Sequence, residues 1–232
     1  MLGPFNYVIW GAGLIIQVYI VVCLLARKES FRYFSLQAYV AATAITTIVH
    51  FIVLRDFGFT SSQYRYTYYY SECVLTVLLY LVVMGLYSHV FQELGASTDV
   101  RIATVLLLVG VAGFSYLVVR HDAGFLSGKF ALEISQNLYF VGAVLTYGLW
   151  VVVLKLRETR ARLVQLVLAM GIYFSALAVV YALRNMVPRF ELLLHALPPL
   201  VSLWLPASWA YTFTRIPEEA RLAPSELAAE SR

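Results

Sequence analysis

The sequence predicts an all-α fold: an integral membrane bundle of seven transmembrane helices, with the N-terminus outside and the C-terminus cytoplasmic. Three observations predict it. Of the 232 residues, 61% are hydrophobic and 13% are charged, against about 25% charged in an average soluble domain. Apolar runs of about 20 residues, the length a spanning helix needs, recur seven times and use almost the whole chain. The basic residues are shared unequally between alternate connections, which sets the orientation.

The first run, Pro4–Ala26, has no basic residue before it and is too long for the core of a cleaved signal peptide. Arg27 and Lys28 follow it at once, as expected of a helix that enters from outside. The second run is Ser35–Leu54. The third, Thr67–Gln92, opens on a crowd of tyrosines around Glu72. The fourth, Ile102–Val119, is apolar nearly all round and belongs at the lipid-facing periphery. The fifth and sixth are Glu133–Leu154 and Leu163–Leu183.

The seventh run, Glu191–Thr214, contains Pro198, Pro199 and Pro206. Each removes a backbone donor and favours a kink, so this helix is a candidate moving part, with static curvature as the plainer alternative. The connections are short, so consecutive helices should be antiparallel neighbours. The longest, Arg120–Leu132, carries Gly124 and Gly128 as turn signals and is a candidate lid at the outer end.

Of the 17 basic residues, 11 fall on the cytoplasmic side of this arrangement and 6 outside, with the dense clusters Arg27–Arg32 and Lys155–Arg162 both inside. Residues 1–215 form the membrane domain and 216–232 a short polar cytoplasmic tail. Nothing in that plan has the size of a soluble output domain. The net charge of +4 sits at helix ends, which fits topology and lipid headgroups and gives no reason to expect nucleic acid. Cys23 and Cys73 fall near opposite membrane faces, too far apart for a disulfide, and read as small hydrophobes. The expected location is the plasma membrane, as a multi-pass protein.

Helical periodicity of roughly 100° per residue sorts the polar residues. In the third run, Tyr66, Tyr69, Tyr70, Cys73, Thr76, Val77, Tyr80, Met84 and Tyr87 share a stripe with Glu72 at its edge. Such a stripe should face protein, because lipid offers hydroxyls no partner, and this places the third helix at the centre. Tyr39, Thr43, Thr46, Thr47 and His50 make a stripe on the second run. Glu133, Gln136, Asn137, Phe140, Val144 and Tyr147 make one on the fifth. Met170, Tyr173, Leu177, Tyr181 and Arg184 make one on the sixth, and Glu191, His195, Pro198, Ser202 and Trp209 one on the seventh. Asn6 and Gln17 point the same way on the first.

His50, Glu72, Glu133, Gln136, Asn137, Tyr181, Arg184, Glu191 and His195 also share a depth, within roughly the outer 8 Å of the membrane at about 1.5 Å per residue. Ionisable groups in a membrane are costly unless paired or hydrated. Together with Tyr69, this layer is the candidate ligand pocket; the alternative is a ring of hydrogen bonds that pins the helix ends together.

The layer invites three sharper chemistries. His50, Glu72, Glu191 and His195 are suitable metal ligands, but no HExxH or ExxH spacing is present and no metal is expected. A proton relay through Glu72 and a histidine has the right titrating groups, yet no polar chain continues inward. An acid–base enzyme acting on lipid lacks a Ser or Cys in a nucleophile motif. His89 and His121 read as an interfacial and a loop histidine.

Seven helices with an outside N-terminus resemble, in topology, rhodopsin-like receptors and the seven-helix input domains of bacterial signalling proteins. The motifs of those groups are missing. Glu191–Thr214 has no lysine to form a retinal Schiff base, so no retinal and no other cofactor is expected, and DRY and NPxxY are absent. The expectation is a non-enzymatic sensor or binding protein. A small polar or amphipathic ligand enters from outside, and a separate cytoplasmic protein partner reads helix 7 through the Lys155–Arg162 loop and the tail. The alternatives are an intramembrane enzyme or proton-coupled carrier using the same Glu/His layer, and a structural subunit of a membrane complex.

Overall fold

The computed structural model describes residues 4–26, 33–91, 97–120, 126–155, 160–186, 191–217 and 220. Among the described residues there are seven helices and no strand: α1 Pro4–Ala26, α2 Phe34–Phe57, α3 Ser62–Phe91, α4 Ser97–Arg120, α5 Leu126–Lys155, α6 Ala161–Met186 and α7 Glu191–Arg215. Four of them hold a stretch long and apolar enough to cross a membrane: Phe34–Phe57, Ser62–Phe91, Glu133–Leu154 and Ala161–Val180. Shorter apolar stretches lie in α1 (Trp10–Cys23) and α4 (Ile102–Leu117).

Every pair of consecutive helices is in contact, and α7 returns to pack on α1. The helices α1, α2, α3, α5, α6 and α7 therefore close a ring. α4 stands outside that ring against α3 and α5, as its all-round apolarity predicts. α3 touches α2, α4, α5 and α6. It is the most connected helix, but it forms part of the ring wall and not a central post.

The outward faces are apolar. Ile45, Ile48, Phe51 and Ile52 on α2, and Val105, Leu106, Val109 and Phe114 on α4, are all exposed. Contiguous apolar surface of this kind is rare on a soluble monomer and suits lipid.

The inward faces interlock. The larger core joins α2, α3, α5, α6 and α7 through Leu36, Leu79, Val83, Leu149, Leu166, Phe174 and Trp209. A second cluster, Tyr80, Met84, Val111, Ile134 and Leu138, fills the wedge between α3, α4 and α5. α5 and α6 approach closely at Gly142, where an added Cβ would collide with the Phe174 ring. Small residues at such crossings let backbones meet.

Three expected helix starts move by five residues or more, α4 beginning at Ser97 rather than Ile102. α3 begins at Ser62 rather than Thr67, with the Ser61 hydroxyl accepting from the Tyr64 amide as a cap. α5 begins at Leu126, so Gly128 lies in a helix and the back half of the expected lid loop is helical; residues 121–125 lie outside the described residues. At the other end, Arg162, expected to close the Lys155–Arg162 loop, lies in α6 and is 1% exposed. Its Nε and Nη2 donate to the Ile216 carbonyl at 3.0 and 2.9 Å, and its guanidinium lies 5.5 Å from the Phe213 ring centroid. The Ala161 amide donates to the Ala220 carbonyl. The start of α6 thus holds the end of α7 and the first residues beyond it. Residues 218, 219 and 221–232 of the expected tail lie outside the described residues, as does His121.

Candidate functional site

The ring of six helices encloses a cavity of about 390 Å³. Its lining follows from helical spacing. α2 contributes Tyr39, Val40, Thr43, Thr46, Thr47 and His50, the stripe its sequence predicts. α3 contributes Tyr64, Tyr68, Glu72, Leu75 and Leu79, which recur every three or four residues on one face. Trp10, Gly13, Leu14 and Gln17 come from α1, Tyr139 from α5, Tyr173, Leu177 and Val180 from α6, and Ser202, Leu203, Pro206 and Trp209 from α7. Tyr39 and Trp209 meet edge to face at 5.7 Å at the end of the cavity away from His50. From Tyr39 to His50 the lining runs about 16 Å along α2 at about 1.5 Å per residue.

Glu72 is the acidic residue of this lining. Its Oε1 accepts a hydrogen bond of 2.6 Å from the Tyr139 hydroxyl. Among the described residues that is its side chain's sole hydrogen-bond partner, and no ion pair reaches it. Oε2 is neither bonded nor sealed in protein, so it faces the cavity. Because α3 starts five residues earlier than expected, Glu72 lies ten residues from its Ser62 start, about 15 Å along the axis. That is deeper than the sequence reading placed it.

His50 sits higher on the same wall. Its Nε2 is 2.7 Å from the Ser71 hydroxyl. That hydroxyl also lies within hydrogen-bond distance of the Tyr68 carbonyl, at 3.0 Å. The ring stacks on Tyr68 at 5.6 Å. Thr43 and Thr47 each donate to the carbonyl four residues back, at 2.8 Å, which satisfies their hydrogens within the helix.

His50 and Glu72 are thus brought to one cavity. Four other expected members are not. Tyr69 lies off the cavity face of α3, against Tyr68. The stripe it belongs to turns toward α4 and α5: Tyr80 donates to the Thr104 carbonyl and Tyr87 to the Leu145 carbonyl, and Leu75 and Leu79 lie beneath Glu72 instead. Asn137 donates from Nδ2 to the Ser115 hydroxyl of α4 at 2.9 Å, so it ties α4 to the ring. Glu133 and Gln136 do not line the cavity.

The expected face of α5 was the wrong one: Phe140, Val144 and Tyr147 on it are 45%, 71% and 59% exposed. The packed face is Ser135, Tyr139, Gly142, Thr146, Leu149 and Val153, all buried. Its signal in the sequence is the small-residue spacing Ser135, Gly142, Thr146. Tyr64, Tyr68, Tyr139 and Trp10 are the aromatic lining residues that the polar stripes missed.

The side chains of Asn6, Tyr181, Arg184, Glu191 and His195 lie outside the described residues, though their backbones fall in α1, α6 and α7. Among the described residues no three His, Cys, Asp or Glu side chains gather as a metal site, and Cys23 and Cys73 are free thiols. His89 packs on Tyr33 at 5.7 Å. In comparison with known proteins, the chain matches no family model, no curated protein and no solved structure.

Proposed function

We propose that this chain is a multi-pass plasma-membrane protein with seven spans, N-terminus outside and C-terminus cytoplasmic. In this reading its cavity receives a small polar or amphipathic ligand from the outside and passes the event to a separate cytoplasmic partner. The observation that carries the reading is the cavity of about 390 Å³, within the range of about 300–1,000 Å³ common for ligand pockets. It presents one unsealed carboxylate oxygen among aromatic walls. A purely structural ring of hydrogen bonds would be packed shut and would pair that oxygen.

The geometry also supports a route inward. Trp209 borders the cavity; Phe213, one turn further along α7, carries the Arg162 guanidinium on its face; Arg162 holds the Ile216 carbonyl. A ligand that shifts Trp209 acts on the joint where α7 leaves the membrane domain. Differential contact with that joint is what a ligand needs to bias two states.

The test is access. With Cys23 and Cys73 replaced by Ala, Thr47→Cys in the cavity should react with a membrane-impermeant thiol reagent added outside intact cells. Thr60→Cys, between α2 and α3, should react from the same side. Reaction of Thr60→Cys only from the cytoplasmic face refutes the orientation. An inert Thr47→Cys in folded protein refutes the open pocket.

A further inference from the structure

The cavity presents a carboxylate, hydroxyls and ring faces, and the Trp209 Nε1 at its wall is buried with no hydrogen-bond partner among the described residues. Tyr139 directs its hydrogen to Glu72, Thr43 and Thr47 direct theirs to backbone carbonyls, and His50 is hydrogen-bonded to Ser71. Glu72 Oε2 and the lone pairs of the Thr43 and Thr47 hydroxyls remain toward the open volume. Around them stand aromatic rings from six helices, Trp10, Tyr39, Tyr68, Tyr139, Tyr173 and Trp209 among them. No Lys or Arg lines the cavity among the described residues.

Each feature selects against a different ligand class. A carboxylate or phosphate would meet Glu72 with no Lys or Arg among the described lining residues to offset it. A small metal ion would find a single carboxylate where hard cations take six or more oxygens. A neutral apolar molecule would leave the carboxylate oxygen desolvated, which is costly in a low-dielectric site. A protonated amine satisfies all of it: its N–H groups supply the missing donors, its charge offsets the carboxylate, and its positive field is attracted to tyrosine and tryptophan faces.

The geometry points to an organic cation as the ligand, a protonated amine on a small apolar body, held by Glu72 inside a cage of tyrosine and tryptophan rings. Glu72 is the specificity residue and the rings supply shape. The volume limits the ligand to about one ring and a short chain. This assignment rests on the pocket reading above and deepens it.

Three probes of one shape and different charge test it: benzylamine, benzyl alcohol and benzoate. Each is titrated at pH 7 into purified full-length protein in lipid nanodiscs. Binding is followed by tryptophan fluorescence, to which Trp10 and Trp209 at the cavity contribute, and by thermal stability. The expected result is benzylamine binding at least tenfold tighter than benzyl alcohol, and no binding of benzoate. Glu72→Gln, of equal size and no charge, should bring the two neutral-pH affinities within about twofold of each other while benzyl alcohol binding stays. Should Glu72→Gln fail to fold, Glu72→Asp keeps the charge on a shorter arm and should weaken benzylamine at least threefold.

Equal affinity of amine and alcohol for the native protein overturns the assignment, as does an amine preference that survives Glu72→Gln or is unmoved by Glu72→Asp. Each of these leaves a pocket that binds something else. Failure of all three probes overturns the assignment too, and the Thr47→Cys reaction then decides separately whether the pocket itself stands.

Discussion

The Tyr139 hydroxyl donates to Glu72 Oε1 at 2.6 Å, joining α5 to α3 across the cavity wall. It is the one hydrogen bond this carboxylate makes among the described residues. A bond to a charged acceptor contributes about 1.5–3 kcal/mol. Tyr139→Phe should therefore lower stability by about 2 kcal/mol, while Tyr139→Phe in a Glu72→Gln background should cost clearly less. A double-mutant cycle on thermal or denaturant unfolding in detergent measures the coupling; additive effects would show that the two groups do not act as a pair.

The His50–Ser71 bond and the His50–Tyr68 stack pin α2 to α3 toward the start of α3. Ser71→Ala should cost about 1 kcal/mol, and His50→Ala more, because the stacked ring goes as well. In His50→Ala, Ser71→Ala should become nearly neutral. Equal cost in both backgrounds would mean that the bond does not form in the membrane.

Arg162 is buried at the start of α6 with its Nε and Nη2 on one carbonyl. Arg162→Ala should destabilise by about 2–3 kcal/mol and expose the chain beyond Arg215 to protease. Arg162→Lys retains the charge but not the planar fork, so it should recover less than half of that loss. A tail no more protease-sensitive in Arg162→Ala than in the native protein would argue against the clamp.

Gly142 faces the Phe174 ring with no room for a Cβ. Gly142→Val should overpack the α5–α6 crossing and cost about 1–3 kcal/mol. Phe174→Leu, made in the same chain, should return part of it. Absence of any rescue would place the damage elsewhere than in this contact.

Gln17 is 7% exposed and its Oε1 has no hydrogen-bond partner among the described residues. An unmet buried polar atom costs about 1–3 kcal/mol, and an apolar replacement of similar shape removes that cost. Gln17→Leu should therefore raise thermal stability. A fall in stability would mean that the amide is engaged in the folded membrane protein.

The sequence by itself determined the seven helices and most of their ends, because an apolar run of fixed length is a property of consecutive residues. It determined the cavity face of α2, where Tyr39, Thr43, Thr47 and His50 stand alone among apolar neighbours, and it singled out Glu72 and the outlying place of α4. Only the tertiary structure decided which way the other polar residues turn. A stripe calculated on one helix has no neighbour in it: Tyr80 and Asn137 are polar because they bond to α4, and the packed face of α5 is marked by smallness rather than polarity. Tyr139 and Glu72 lie 67 positions apart in the chain. Their meeting depends on how α5 is rotated against α3, and Gly142, Thr146 and the Phe174 ring fix that rotation by close packing.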